Sequence, residues 1–161
     1  MPEGICRATP RVDICSAGSS PTPGDGLGDT PFPELGNPGI DVTHYDVDLR
    51  WDTETRRIDG VVSLQILPTE NRPTLTLDAG DALDIESVTV AGAPVEFRHE
   101  APELRITPEQ ALIVGVAIEV AVAYSATPRP SAGVNGLSGG WLVTDIGSYT
   151  LNEPDLARTW L

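Results

Sequence analysis

The chain has 161 residues, a length typical of a single domain with a substantial hydrophobic core. Its 24 acidic residues outnumber ten basic ones, all of them arginine, and the resulting net charge of −14 argues against nucleic-acid binding. The 16 glycines and 15 prolines disfavour long helices, and no apolar run approaches the roughly 20 residues of a membrane span, so we predict an all-β fold without such a span.

Residues 1–37 are predicted to form a flexible tail or linker, and residues 38–161 a folded β domain. The sequence from Ser16 to Asn37 is small, polar and rich in proline and glycine. It has too few apolar side chains to offset the entropy lost on ordering it. The start of the chain also lacks the continuous apolar segment of a signal peptide.

The two cysteines of the chain, Cys6 and Cys15, fall in this tail. They are either two unpaired thiols or a pair closed across a short loop. Because a structural zinc site needs four ligands, two cysteines cannot complete one. No cofactor is predicted for this chain on the basis of its own residues.

Alternation of apolar and polar side chains begins at Ile40 and predicts a half-buried antiparallel strand that runs through Trp51. Similar patterns predict a second strand in 57–67, a third in 74–80 and a short one in 103–108. Two β-rich runs on either side of 91–94 (Ala-Gly-Ala-Pro) predict a hairpin. The apolar face of the first strand consists of Tyr45, Val47, Leu49 and Trp51.

The longest predicted strand covers 112–126, where apolar side chains recur at every second position. The side chains between them are small, which predicts that both faces of this strand are covered. Two final strands follow in 141–145 and 147–153, and one helical turn is expected near 108–111. Together these elements predict two antiparallel sheets that pack or curl together.

One strand face presents His44, Asp46 and Asp48 in a row, a spacing that can bind a metal ion. Alternating polar residues are also the ordinary solvent-facing side of an amphipathic strand, which is the preferred interpretation. The sequence contains no HExxH segment and no glycine-rich phosphate loop. The residues alone therefore show no catalytic machinery.

Five segments, however, occur in a familiar order: "GIDVTHYDVDLRWD", "RIDGVVSLQI", "LTLDAGDALDIESVTVAGAPVEF", "VAIEVAVAYSATPRP" and "GGWLVTDIGSYTLNEPDLARTWL". Over about 31–161 the chain resembles the N-terminal β domain of the aminopeptidase N family of zinc metallopeptidases, the gluzincin aminopeptidases. The match is close to an actinobacterial-type branch of that family. The resemblance implies a saddle-shaped, sandwich-like antiparallel β domain.

The resemblance also implies what such a domain works with. In the family it docks on a thermolysin-like catalytic domain, which contains the HExxH helix, the GxMEN segment and the Zn²⁺ ion. This sequence ends before those segments, so we expect a fragment truncated before the catalytic domain and inactive alone. Zn²⁺ is expected in the full-length enzyme. Relatives in this branch are often exported, which favours an extracellular or cell-surface location slightly over a cytoplasmic one.

A family segment written TQFEPxDARRxFP aligns with residues 150–161. Thr150 matches the Thr, Leu151 takes the place of the Gln, and Asn152 takes that of the Phe. Glu153 matches a Glu that, in the family, binds the free α-ammonium group of the peptide together with the Glu of GxMEN. The resemblance thus implies Glu153 as the amine anchor, with Leu151 and Asn152 as neighbouring substrate-binding positions. Because Leu151 cannot hydrogen-bond, one polar contact to substrate is lost.

Arg158 and Trp160 are expected to hold this loop and the junction to the next domain rather than to contact substrate. An alternative hypothesis remains from the residues alone: a free-standing β-sandwich module that binds or adheres and has no catalytic role. The two differ in one physical property, because a domain stripped of its catalytic partner exposes an apolar docking face.

Overall fold

The computed structural model describes residues 26–28, 30, 32, 33 and 35–161; Cys6, Cys15 and most of the predicted 1–37 tail lie outside these residues. The described chain forms eleven β-strands and one turn of 3-10 helix. They are β1 (Ile40–Asp52), β2 (Arg57–Pro68), β3 (Leu75–Asp78), β4 (Leu83–Val90), β5 (Ala93–Pro94), β6 (Glu96–Glu100), β7 (Glu103–Thr107), β8 (Ile118–Ala126), β9 (Ser131–Ala132), β10 (Ser138–Thr144), β11 (Gly147–Leu151) and the helix Leu156–Thr159.

The strands form three antiparallel sheets. Sheet I has five strands in the order β1-β2-β8-β4-β5, sheet II has the order β3-β7-β6, and sheet III has the order β9-β10-β11. The predicted all-β, antiparallel class is therefore confirmed. No helix in the described ranges is long and apolar enough to cross a membrane.

Strand β2 shows why the alternating pattern forms a sheet with one buried face. Ile58, Val62, Leu64 and Ile66 are all less than 7% exposed, while Asp59 between them is exposed. The register places Val62 between Val47 of β1 and Val122 of β8. Fully burying each of these side chains stabilises the fold by about 2 kcal/mol.

The buried faces of sheets I and II form one continuous core. It is built mainly from aliphatic side chains, with one tyrosine, and the helix adds Leu156, which is 2% exposed. The core residues are Ile58, Val62, Leu64, Ile66, Leu75, Ala79, Leu83, Val88, Leu104, Ile106, Leu112, Val120, Val122, Tyr124 and Ala126.

The apolar face of β1 is less buried than its pattern predicts. Tyr45 and Val47 are 53% and 39% exposed, whereas Leu49 and Trp51 are half-buried. The reason is that β1 is the edge strand of sheet I and pairs only with β2 within the described chain.

Two local predictions were wrong. Strand β8 begins at Ile118 rather than near residue 112, because Gly115 adopts a φ of +75° and turns the chain. Val114 and Val116 are consequently about half exposed, at 50% and 52%. Residues 108–111 form no helical turn; the chain bends at Glu109 and Gln110 and then reaches a bridge between Leu112 and Arg72.

The predicted hairpin around Ala91 and Gly92 is present but divides between two sheets. Ala91 and Gly92 have φ values of 51° and 79°, as a tight two-residue hairpin turn requires, and Val90 pairs with Ala93. After β5, however, the chain leaves sheet I, and β6 pairs with β7 in sheet II. This crossing joins the two sheets covalently at one end of the core.

Candidate functional site

The three predicted substrate-binding residues lie together where the last strand ends. Leu151 is the final residue of β11, and Asn152 and Glu153 form the start of the turn before the helix Leu156–Thr159. Leu151 is 50% exposed, Glu153 is exposed and Asn152 is half-buried. The candidate site is therefore the turn 151–155, which we call the β11 turn.

Asn152 holds this turn closed. Its side-chain Oδ1 accepts a hydrogen bond from the indole N–H of Trp160 at 2.9 Å, and its carbonyl accepts one from the backbone N–H of Leu156 at 2.8 Å. Glu153, by contrast, makes no hydrogen bond or ion pair within the part of the chain that the structure describes. Of these two polar side chains, only Glu153 is free to bind a group from outside.

Asp155 fixes the other end of the β11 turn. Its side chain is only 2% exposed and accepts a hydrogen bond from the guanidinium of Arg158 at 2.7 Å. It also accepts one at 3.1 Å from the backbone N–H of Val134, in the loop between β9 and β10. This charged anchor was missed in the sequence, where the Asn-Glu-Pro-Asp run has only the signature of a solvent-exposed turn.

The last residues fasten the turn to sheet I. The hydroxyl of Tyr124 in β8 donates to the carbonyl of Trp160 at 2.6 Å, and the backbone N–H of Gly80 donates to the carbonyl of Arg158 at 2.7 Å. The ring of Trp141 lies between those of Trp160 and Trp51, at centroid distances of 5.2 and 5.4 Å. The expectation that Arg158 and Trp160 hold this loop is confirmed.

Two acidic side chains near this segment are electrostatically unusual. Burial raises the pKa of Asp78, although the nearby Arg158 and a hydrogen bond from Asn37 act in the opposite direction. Burial also raises the pKa of Glu103, which lies opposite Asp78 in the β3–β7 register, and the charge of Asp78 adds to that shift. Burial raises the pKa of Tyr124 to about 12.

The predicted metal alternative gains no support from the geometry. His44, Asp46 and Asp48 are all exposed on the solvent side of β1. Across the described ranges, no group of three or more His, Cys, Asp and Glu side chains is arranged to bind a metal ion.

The β10–β11 hairpin, which leads into the β11 turn, has exposed apolar side chains. Ile146, at the tip of the β10–β11 hairpin, is 100% exposed, and Tyr149 is 55% exposed. Together with Leu151 they give the hairpin three exposed hydrophobic side chains. The site thus combines one exposed, unpaired carboxylate on an anchored turn with the half-exposed apolar side chain of Leu151 beside it.

Solved structures show what this chain is similar to. An M1 zinc metallopeptidase from Deinococcus radiodurans, a mutant bound to a Tyr-Ser-Ala substrate, is 28% identical with a TM-score of 0.75, covering 84% of this chain and 32% of that one. The same enzyme without the mutation matches at 28% identity and a TM-score of 0.74, over 84% and 31% of the two chains. This chain matches the N-terminal domain of the M1 zinc metallopeptidases.

The resemblance to the zinc aminopeptidase family is thereby confirmed. The chain spans about a third of the length of these M1 structures, at 32%. Yeast leukotriene A4 hydrolase in complex with bestatin shares the fold, with 20% identity, a TM-score of 0.61 and coverage of 90% of this chain and 23% of that one. A scan against protein-family models found no match, and a search of curated proteins found none either.

Proposed function

We propose that this chain is the substrate-anchoring first domain of a zinc aminopeptidase that removes N-terminal residues from peptides. In this proposal, Glu153 accepts the free α-ammonium group of the substrate. The observation that carries it is the contrast within one turn: Glu153 is exposed and unpaired, while Asn152 and Asp155 on either side of it are held by hydrogen bonds. A carboxylate on a rigid turn can hold the α-ammonium group at a fixed distance from the peptide bond that is cleaved.

Charge explains how such a carboxylate would select the end of a peptide. An internal peptide segment has no cation to offer at this position, so binding it would leave Glu153 desolvated and unpaired. Truncating one partner of a desolvated ion pair costs about 2–5 kcal/mol, which corresponds to roughly 30-fold or more in affinity. The neighbouring Leu151 would pack against substrate without adding a hydrogen bond.

The rest of the enzyme is part of the proposal. Zinc would be held by a thermolysin-like catalytic domain, and there it would polarise the scissile carbonyl and activate water. The exposed apolar side chains of the β10–β11 hairpin support docking of such a domain, because isolated soluble domains rarely leave clustered hydrophobic groups in water.

A chimera tests the role of Glu153. This chain would replace the matching third of the Deinococcus radiodurans enzyme, and kcat/KM would be measured on an aminoacyl p-nitroanilide. We expect Glu153→Gln to lower kcat/KM by about 30-fold or more, and Glu109→Gln, at another exposed glutamate, to leave it unchanged. Equal activity of the two variants would refute the anchoring role.

An activity assay on the purified chain alone tests whether the catalytic centre lies outside it. The purified chain should not hydrolyse the same anilide, with or without added Zn²⁺. Hydrolysis that a chelator abolishes would show that the catalytic centre lies in this chain. It would refute the proposal that a separate catalytic domain holds the zinc.

A further inference from the structure

A cavity of about 600 Å³ lies between sheets I and II. Its walls are mostly aliphatic, with Val62, Leu64 and Val122 contributed by sheet I and Leu77 and Leu104 by sheet II. This volume falls within the roughly 300–1,000 Å³ of sites that bind small organic molecules. Nothing in the proposed peptidase function uses this space, and Glu153 is not among the residues that line it.

The polar side chains that line the cavity include the carboxylate of Asp78, the amide of Asn37 and the hydroxyls of Tyr45 and Tyr124. Asp78 lines it and accepts a hydrogen bond from the amide nitrogen of Asn37 at 3.2 Å. The Oδ1 atom of Asn37 is buried and has no hydrogen-bond partner in the described chain. The same is true of Oε2 of Glu103, which lies opposite Asp78 in the β3–β7 register but outside the cavity lining. The hydroxyl of Tyr124 is already used by the carbonyl of Trp160.

The charge of the cavity is also one-sided. Asp41, Asp78 and Asp155 line it against a single cation, Arg158, whose guanidinium is paired with Asp155 at 2.7 Å. The sequence contains no lysine. An ammonium group that complements Asp78 would therefore not be a lysine side chain of this chain.

We propose that the cavity binds an apolar primary amine in its ammonium form. The ammonium would lie at Asp78, where it can donate to the carboxylate. The hydrocarbon part would fill the space between Leu64 and Leu104, with each buried methylene contributing about 0.8 kcal/mol. A carboxylate in an apolar cavity favours a ligand that has both a cationic group and a hydrocarbon body. The cation pairs with the carboxylate, and the hydrocarbon packs against the apolar walls.

Isothermal titration calorimetry on the full chain at pH 7 tests this proposal with n-octylammonium chloride as the probe. We expect one site per chain. Octanoate, of equal length and opposite charge, should not bind, and methylammonium, which lacks the hydrocarbon, should bind at least about tenfold more weakly. Octanoate binding as tightly as octylammonium would overturn the proposal.

Variants locate the site. Asp78→Asn should weaken octylammonium binding about tenfold or more, while Asp84→Asn, at an exposed aspartate, should not change it. Circular dichroism and urea unfolding confirm that each variant folds. If Asp78→Asn does not weaken binding relative to Asp84→Asn, the site is not this cavity.

One further variant separates this proposal from the peptidase role. Glu153→Gln should leave octylammonium binding unchanged, because Glu153 lies outside the cavity lining. Loss of binding in Glu153→Gln would mean that the probe occupies the β11 turn instead, and would refute the cavity site while leaving the proposed peptidase function standing.

Discussion

The indole N–H of Trp160 donates to Oδ1 of Asn152 at 2.9 Å, so the end of the chain holds the start of the β11 turn. The carbonyl of the same Trp160 accepts a hydrogen bond from Tyr124 in the middle of the domain. Through these two contacts the position of the candidate amine anchor depends on sheet I. Glu153 is thus displayed by a supported turn and not by a free loop.

A double-mutant cycle measures the first of these contacts. Trp160→Phe keeps an aromatic ring but loses the N–H donor, and Asn152→Ala loses the acceptor. Each should lower the free energy of unfolding by about 1 kcal/mol or more, and the double variant should cost less than the sum of the two, by about 1 kcal/mol. Urea unfolding followed by circular dichroism provides the values. Additive losses would show that the contact contributes nothing.

Asp155→Ala should be among the more damaging substitutions in the domain. It removes a buried acceptor from the N–H of Val134 and leaves the guanidinium of Arg158 without its partner. We expect a loss of about 3 kcal/mol in unfolding free energy. Asp145→Ala, in the exposed turn of the β10–β11 hairpin, is the matched control and should change stability by less than about 0.5 kcal/mol. Similar losses in both variants would contradict the anchoring role of Asp155.

The pH dependence of the free energy of unfolding should show that the pKa of Asp78 is raised in the folded chain. Because burial raises its pKa in the folded state, the folded chain binds more protons than the unfolded chain, and its ionised carboxylate opposes folding at neutral pH. That opposition is lost as the pH falls through the folded-state pKa. Asp78→Asn should therefore stabilise the domain at pH 7, and the gain should shrink towards pH 4.

Asp84→Asn is the control for this experiment, since it changes the net charge equally at an exposed position. The difference between the two variants isolates the effect of burial from general repulsion among the 24 acidic residues. Urea midpoints measured from pH 4 to pH 7 are compared. A stabilisation that is the same at both ends of this range would show that Asp78 titrates as it does in the unfolded chain.

Self-association of the chain should depend on the exposed apolar side chains of the β10–β11 hairpin. Ile146, fully exposed, and Tyr149 lie where we place the contact with a catalytic domain. The chain alone should associate as its concentration rises, and the double variant Ile146→Ser, Tyr149→Ser should remain monomeric in sedimentation velocity. Val61→Ser, at a 45% exposed position on β2, is the control and should not prevent association. A wild-type chain that is monomeric at all concentrations would favour the free-standing module.

Much of the fold could be predicted because its strands obey a period of two. In β2, Val62, Leu64 and Ile66 recur at every second position, and this period is enough to identify both the strand and its buried face. The turn at Ala91 and Gly92 could likewise be located from residue type. These signals are local, so no tertiary information is needed to interpret them.

The errors arose where position in the sheet decides the outcome. The exposure of Tyr45 follows from the place of β1 at the sheet edge, which alternation does not encode. The burial of Asp155 depends on the Val134 loop, 21 residues earlier in sequence, folding against it. Glu153 is a candidate by resemblance alone, because an exposed glutamate before a proline has no distinguishing local signal.

Strand β1 has thirteen residues, and its outer edge pairs with nothing in the described ranges. Such a long open edge can hydrogen-bond to another copy and grow into fibres. Its aspartates, Asp41, Asp46, Asp48 and Asp52, are all exposed and would bring like charges together in any such pairing. Because dissolved ions screen these charges within a few ångströms at high ionic strength, concentrated salt removes the barrier. The isolated domain is therefore best purified and stored at low salt concentration and above neutral pH.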